Sequence, residues 1–161
     1  MKIFHVASGV WLWATIESVA PEDMKRLTPK RYSFRWNQLT GTDLYKLRLV
    51  GDADIKGVMS LVDYPDECRV EIKLLAVARE NVILKGEKGK KLKEYDHIAG
   101  NLIAFAGRIA ISRYSWRACV SLVPKTVLRA HYIAEYGMED CGYQLFLESK
   151  SLYALINRYI P

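Results

Sequence analysis

The stretch 93-KEYDHIAGNLIAFA-106 passes within a few residues from a polar run to apolar residues at helical spacing. The chemistry open to such a junction is anion binding. The first N–H groups of a helix lack intrahelical partners, and the helix dipole favours negative charge there. A lysine-rich segment, 85-KGEKGKKLK-93, stands just before it. Its Lys85, Lys88, Lys90, Lys91 and Lys93 could meet phosphates as point charges. The same residues also describe a solvated loop leading into an ordinary helix, and local sequence leaves both open. Elsewhere the chemistry is sparse. His5, His97 and His131 are dispersed and make neither a triad nor a metal set. Cys68, Cys119 and Cys141 are widely spaced, with no CxxC and no Cys/His cluster, so neither zinc nor a disulfide framework is indicated. Cys119, in the middle of WRACVSLV, reads as a buried strand thiol and a poor nucleophile. Reduced thiols point to the cytoplasm.

The chain has 161 residues, 50% hydrophobic and 26% charged, with net charge +6 and a pI near 9.2. That length fits one domain, 1–161, with a real core. The modest basic excess suits an anionic ligand without implying nucleic acid. A nucleic-acid surface would need Tyr95, Tyr114 and Trp116 exposed beside the basic loop, and these aromatics read better as core. Nucleic acid is therefore not expected as a partner. Near the start, Lys2 precedes the apolar run IFHVASGVWLWATI, but His5, Ser8 and Gly9 dilute it and Glu17 lies near the only cleavage-like residues. The run predicts a buried strand or hairpin rather than a leader. No other stretch approaches membrane-spanning length, so no membrane partner is expected.

The elements that must position this chemistry follow from periodicity. The segment 11–17 alternates as a strand, 21–27 looks helical behind Pro21, and 30–38 alternates in an extended manner. Strands at 44–50, 57–62 and 69–77 are parted by GDAD and DYPDE turns, an antiparallel meander. Ile98, Leu102, Phe105 and Ile109 predict a helix over 97–112, with Asp96 suited to its N-cap. A strand at 116–124, a helix at 125–136 ending on Gly137, a strand at 143–148 and a helix at 150–159 complete the chain. The fold class is a mixed α/β (α+β) arrangement, a sheet with helices on it.

In this order, Leu75-Ala76-Val77 ends the fourth strand, the polar-to-helix junction follows, and 120-VSLVPK-125 precedes 131-HYIAEYGM-138. The chain thereby resembles the GNAT superfamily of N-acetyltransferases over roughly residues 44–148. The family's fourth strand commonly reads L-x-V and splays from its neighbour, and Gly137-Met138 stands in the place of a Gly-Phe ending. The resemblance implies a central mixed, mostly antiparallel sheet with a splayed fourth strand, flanked by helices. It implies acetyl-CoA as cosubstrate and an amine acceptor, small molecule or protein, in a monomer or homodimer. The alternative is a catalytically inactive module that keeps the fold and binds CoA or a partner.

The family holds the CoA pyrophosphate on backbone N–H groups of a (Q/R)-x-x-G-x-(G/A) loop. Placing Leu102-Ile103 on the family's paired apolar residues puts G-x-(G/A) on His97-Ile98-Ala99, with Tyr95 and Asp96 in the turn and Glu94 at the first position. His97 departs from glycine there, and Gly86 and Gly89 offer an alternative cradle. Lys90 and Lys91 would add charge for the phosphates. Leu75 and Val77 would offer backbone N–H groups to the thioester carbonyl and the pantetheine arm. Glu71, four residues before Leu75, matches the base position of the histone-acetylating branch. Period two would put Glu71, Lys73, Leu75 and Val77 on one strand face. Lys73 beside Glu71 would lower its pKa, and Glu80 is a second candidate base. Counting back from Gly137 to the family's tyrosine acid reaches Ile133, so the acid would be Tyr132 in a shifted register, with Tyr136 the other nearby hydroxyl. Acceptor specificity would come from residues 1–43, where Trp11, Trp13, Trp36 and Tyr32 line a cleft or fill core.

Overall fold

The computed structural model of the chain describes residues 1–82 and 93–160. The alternative glycine cradle and Lys85, Lys88, Lys90 and Lys91 lie outside those residues.

The first strands, β1 (Lys2–His5) and β2 (Val10–Ser18), form the expected hairpin, with His5 opposite Val10. The next segment departs from expectation. Residues 21–26 form a 3-10 turn, and 30–38 is not extended. Thr28 and Pro29 start a one-turn helix, α1 (Pro29–Tyr32), in which Thr28 Oγ1 accepts from the Arg31 N–H at 3.4 Å. A second 3-10 turn covers Trp36–Gln38. The apparent alternation of KRYSFRW arose because Tyr32 and Phe34 are both buried, from a helix end and a loop rather than from one strand.

Then come β3 (Asp43–Leu49), β4 (Ile55–Tyr64) and β5 (Arg69–Val77), the predicted meander. A two-residue strand β6 (Tyr95–Asp96) leads into α2 (Ile98–Tyr114). Strand β7 (Cys119–Leu122) is shorter than expected because Ser115–Arg117 forms a 3-10 turn. Likewise α3 (Arg129–Tyr136) begins after a 3-10 turn at Thr126–Leu128 and ends, as predicted, on Gly137 at φ +68°. Strand β8 (Glu139–Cys141) has no counterpart among the expected elements. It pairs with β9 (Gln144–Glu148), which runs into α4 (Ser149–Tyr159).

Among the described residues the nine strands form one sheet in the order β6-β1-β2-β3-β4-β5-β7-β9-β8, antiparallel except where β5 meets β7. Helix α2 lies across β4, β5 and β7, and α4 packs on α2. Their face holds the main core, including Met59, Ile72, Leu102, Ile103 and Leu147. A smaller core on Leu27, Tyr32, Phe34, Val58 and Leu74 covers the opposite face.

Absent side chains set the helix positions. A Cβ on Gly57 would stand 2.7 Å from Ile98 Cγ2, so that glycine lets the first turn of α2 sit on β4. A Cβ on Gly100 would meet the Tyr159 ring at 2.2 Å, and one on Gly107 would meet Leu152 Cδ1 at 2.7 Å. Seven residues apart, these two glycines share a face of α2 and seat α4 against it.

Candidate binding groove at the open edge of β5

Strand β5 pairs with β7 only from Arg69, opposite Cys119, to Ile72, opposite Leu122. There β7 ends, while β5 continues to Val77 with β4 alone beside it. The Ala78 N–H donates to the Lys56 carbonyl on the β4 side at 2.9 Å. Successive strand residues turn their N–H groups to alternate edges, so the Val77 and Leu75 N–H groups face the open edge. A β-bulge sets this phase. Ser60 pairs with Leu74 and Leu61 with Ile72, leaving Lys73 as the extra residue.

The bulge also overturns one expectation. Val70, Ile72, Leu75 and Val77 pack with the main core, whereas Leu74 and Ala76 pack in the smaller one. Glu71 therefore lies on the face opposite Leu75 and Val77, because the extra residue breaks the two-residue period between them. Glu71 is buried and paired with Arg69 at 3.1 Å and Lys73 at 3.0 Å. Arg69 also donates to Ser121 Oγ at 2.8 Å. Burial works to raise the Glu71 carboxyl, but Lys73 and Arg69 outweigh it and hold it below its ordinary range. Glu80 is also committed. Burial pushes its carboxyl up, yet Arg31, bidentate on Asp54 at 2.7 and 2.9 Å, pairs with Glu80 as well and holds it low.

On the α2 side the N-cap is His97, not Asp96. His97 sits at φ +69°, ψ +10°, in the left-handed region where glycine is at home. No side chain caps the first turn of α2, and the first backbone bond back to the cap is Asn101 N–H to the His97 carbonyl at 3.1 Å. The Ile98, Ala99 and Gly100 N–H groups precede that bond. Asp96 Oδ1 instead accepts from the His97 N–H at 2.8 Å and faces Lys93 Nζ at 3.3 Å. Burial works to raise its carboxyl, but the His97 N–H and Lys93 prevail and keep it low. The His97 ring lies between Trp11, at 4.9 Å, and Tyr159, at 5.6 Å.

These elements enclose a cavity of about 250 Å³ between the end of β5, the start of α2, and α3 and α4. Val77, Lys93, Tyr95, Asp96, His97, Ile98 and Ala99 all line it, so these sequence-predicted residues converge there. Leu75 stands two residues up the same edge, while Glu71 and Tyr132 do not line the cavity. Tyr132 is buried in the core against Tyr136, ring centroids 5.7 Å apart, and burial pushes it up to about 12. Tyr136 does line the cavity, as do Asn81, His131, Glu135 and Tyr159. Burial drives the Tyr136 hydroxyl up further still. Asn81 and Tyr159 were missed because neither lies in a local pattern. Asn81 follows a strand end, and Tyr159 arrives from the last helix. Trp11, Trp13 and Trp36 are neither core nor cavity lining but half exposed or more, whereas Tyr32 fills the smaller core.

The cavity fits the phosphate-bearing end of CoA on the structure's own evidence. It has uncapped N–H groups, a left-handed cap, and the buried Asn81 Nδ2 without a partner among the described residues. Among the described residues no group of His, Cys, Asp and Glu could hold a metal ion, and no helix is long and apolar enough to cross a membrane.

By sequence the chain matches no protein-family model and no curated protein. By structure it is similar to acetyltransferases. A candidate acetyltransferase from T. thermophilus superposes with TM-score 0.57 at 13% identity, covering 91% of this chain and 92% of that one. A variant of the SpeG spermidine N-acetyltransferase from Vibrio cholerae gives 0.57 at 12%, covering 90% and 97%. A Bacillus subtilis acetyltransferase in complex with CoA gives 0.52 at 13%, covering 85% and 98%. The likeness establishes the fold. The chain has the GNAT acetyltransferase fold, a mixed, mostly antiparallel sheet flanked by helices.

Proposed function

We propose that the chain is a single-domain, acetyl-CoA-dependent N-acetyltransferase acting on an amine acceptor, a small molecule or a protein amine, in the cytoplasm. The observation that carries this reading is His97. It holds the left-handed backbone of the family's glycine position, at the uncapped start of α2, beside the open edge of β5. Acetyl-CoA supplies the activated acyl group as a thioester.

The chain's residues act as follows. The Ile98, Ala99 and Gly100 N–H groups hold the pyrophosphate, and Tyr95, Asp96 and His97 fix the turn that presents them. Lys93 neutralises Asp96, which would otherwise repel the phosphates. Lys90 and Lys91 are further candidates for phosphate contact. The open Leu75 and Val77 N–H groups bind the pantetheine arm and polarise the carbonyl. Glu71, the expected base, is buried on the opposite face of β5 with its charge already met by Arg69 and Lys73. A carboxyl so paired is a weak base, so the amine reacts from its neutral fraction or through water. Tyr136, which lines the cavity and is kept protonated by burial, returns a proton to the leaving thiolate, and Tyr132, the expected acid, lies behind it.

A second reading, CoA binding without transfer, is favoured by one observation. The bulge puts Glu71 and Leu75 on opposite faces. Two measurements separate the readings. Acetyl-CoA at 100 times Kd should stabilise the fold by about 2.7 kcal/mol, read as a rise in Tm. Thiol release across a panel of amines should then show turnover. No Tm rise at millimolar CoA overturns both readings, and a rise without thiol release selects the second.

A further inference from the structure

Asn81 ends the 3-10 turn Arg79–Asn81 directly after β5 and is only 4% exposed. Its Oδ1 accepts the Tyr95 N–H at 2.8 Å. That bond fixes the amide orientation, since only the oxygen can accept, so Nδ2 is left as the donor. Among the described residues Nδ2 has no partner, although it is buried and its residue lines the cavity at the start of α2. A buried amide donor left unpaired gives up its hydrogen bond to water with nothing in return, a cost that a bound acceptor would remove. Asn101 carries the other unpaired side-chain atom, but that atom is an acceptor, and its amide already binds the carbonyls of Lys2 at 3.0 Å and His97 at 2.7 Å. Among the described residues, only Asn81 carries an unpaired buried side-chain donor, and it is a residue of the cavity lining.

We propose that Asn81 Nδ2 is a side-chain donor to a phosphate oxygen of the bound cosubstrate, opposite the N–H groups of Ile98 and Ala99. This deepens the reading above and rests on it. Backbone N–H groups grip the anion from the α2 side, and Asn81 grips it from the β5 side. The Tyr95 N–H couples that donor to the same turn that presents His97. A phosphate contact from the strand end also ties the reactive arm, which runs along β5, to the anchored phosphates, so Asn81 sets the register of the arm against Leu75 and Val77.

The test combines a variant with a probe of the unaltered protein. Asn81→Asp keeps the shape and the acceptor for Tyr95 but replaces the donor with a second, negative oxygen. CoA affinity should fall by about tenfold or more, the scale of one charge-assisted bond, and Tm should fall as well, because the new carboxylate oxygen is buried without a partner. In the unaltered protein, the Asn81 side-chain amide resonance should shift on adding CoA or inorganic diphosphate and stay in place with pantetheine, which has amide carbonyls and no phosphate. This second readout holds if the variant fails to fold. A shift with pantetheine alone, or none while the Ile98 and Ala99 amides move with CoA, overturns the assignment of Asn81 and leaves the acetyltransferase reading standing. A shift with diphosphate but no binding of CoA sustains Asn81 as an anion donor and overturns the transferase. If neither ligand binds, both fall.

Discussion

His97 bears the conformational cost of the turn that starts α2. A non-glycine residue in the left-handed region costs on the order of 1–3 kcal/mol, and here the ring recovers part of it against Trp11 and Tyr159. His97→Gly should therefore hold Tm within a few degrees and keep CoA binding, since the donors are backbone groups. His97→Val should lose about 1–2 kcal/mol and weaken binding, because a β-branched residue resists that conformation. Denaturant midpoints and CoA titrations of the two variants check this, and equal behaviour would show that the backbone geometry is irrelevant. The two tyrosines of α3 divide similarly. Tyr136 lines the cavity and Tyr132 lies behind it. Tyr136→Phe should lower kcat several-fold and flatten the alkaline limb of the pH profile at unchanged Tm. Tyr132→Phe should do less to kcat. The reverse order in steady-state rates would restore Tyr132 as the proton donor. At this scale the sequence exposed the turn before α2, because a polar-to-apolar junction is local. It concealed Asn81 and Tyr159, whose relevance comes from elements far away in the chain.

Elements were legible where the pattern was long. Strands β3, β4 and β5 and helices α2 and α4 fall where alternation and helical spacing put them, since their buried faces repeat over several turns or pleats. The short pieces were not. The helix α1 spans a single turn, and β8 is an exposed three-residue strand whose only signal is its pairing with β9. The bulge at Lys73 is invisible in RVEIKLLAV because both faces of that strand are buried, the charged Arg69 and Glu71 included, so no change of phase shows. It decided which face Glu71 occupies. Between α2 and α4 the decisive feature is missing volume. Gly100→Ala places a methyl into the Tyr159 ring, whereas Gly107→Ala meets the flexible tip of Leu152. The first should lower stability by about 1–3 kcal/mol, the usual cost of overpacking. The second should be nearly neutral, as the gain in helix propensity of about 0.5–1 kcal/mol offsets a small shift. Thermal unfolding of both variants tests this, and a milder effect at Gly100 would mean that α4 is free to move away.

At the scale of the whole molecule, the buried tyrosines link stability to pH. Burial pushes Tyr132 and Tyr159 up to about 12 from an ordinary value of 10.0, and Tyr136 beyond that. Below pH 10 folded and unfolded chains both hold these protons, so the full stability is present. As pH rises from 10 towards 12 the unfolded chain releases them first, and stability falls. Tm should stay level from neutral to mildly alkaline pH and then drop, and tyrosinate absorbance of the folded chain should lag that of the unfolded chain. Absorbance that rises at the ordinary tyrosine value would mean that these rings are open to water.

The sequence by itself determined the periodic elements, their order and the polar-to-apolar junction at the α2 start. These depend on neighbours within a few residues, where hydrophobic spacing and helix-end physics act. Only the tertiary structure decided that β5 stands free of β7 beyond Ile72, and that Glu71 turns away from Leu75. It alone brought Asn81 and Tyr136 to the cavity while leaving Tyr132 behind. Those outcomes depend on strand register, on a single extra residue and on the room left by Gly57 and Gly100, quantities fixed by contacts between segments distant in the chain.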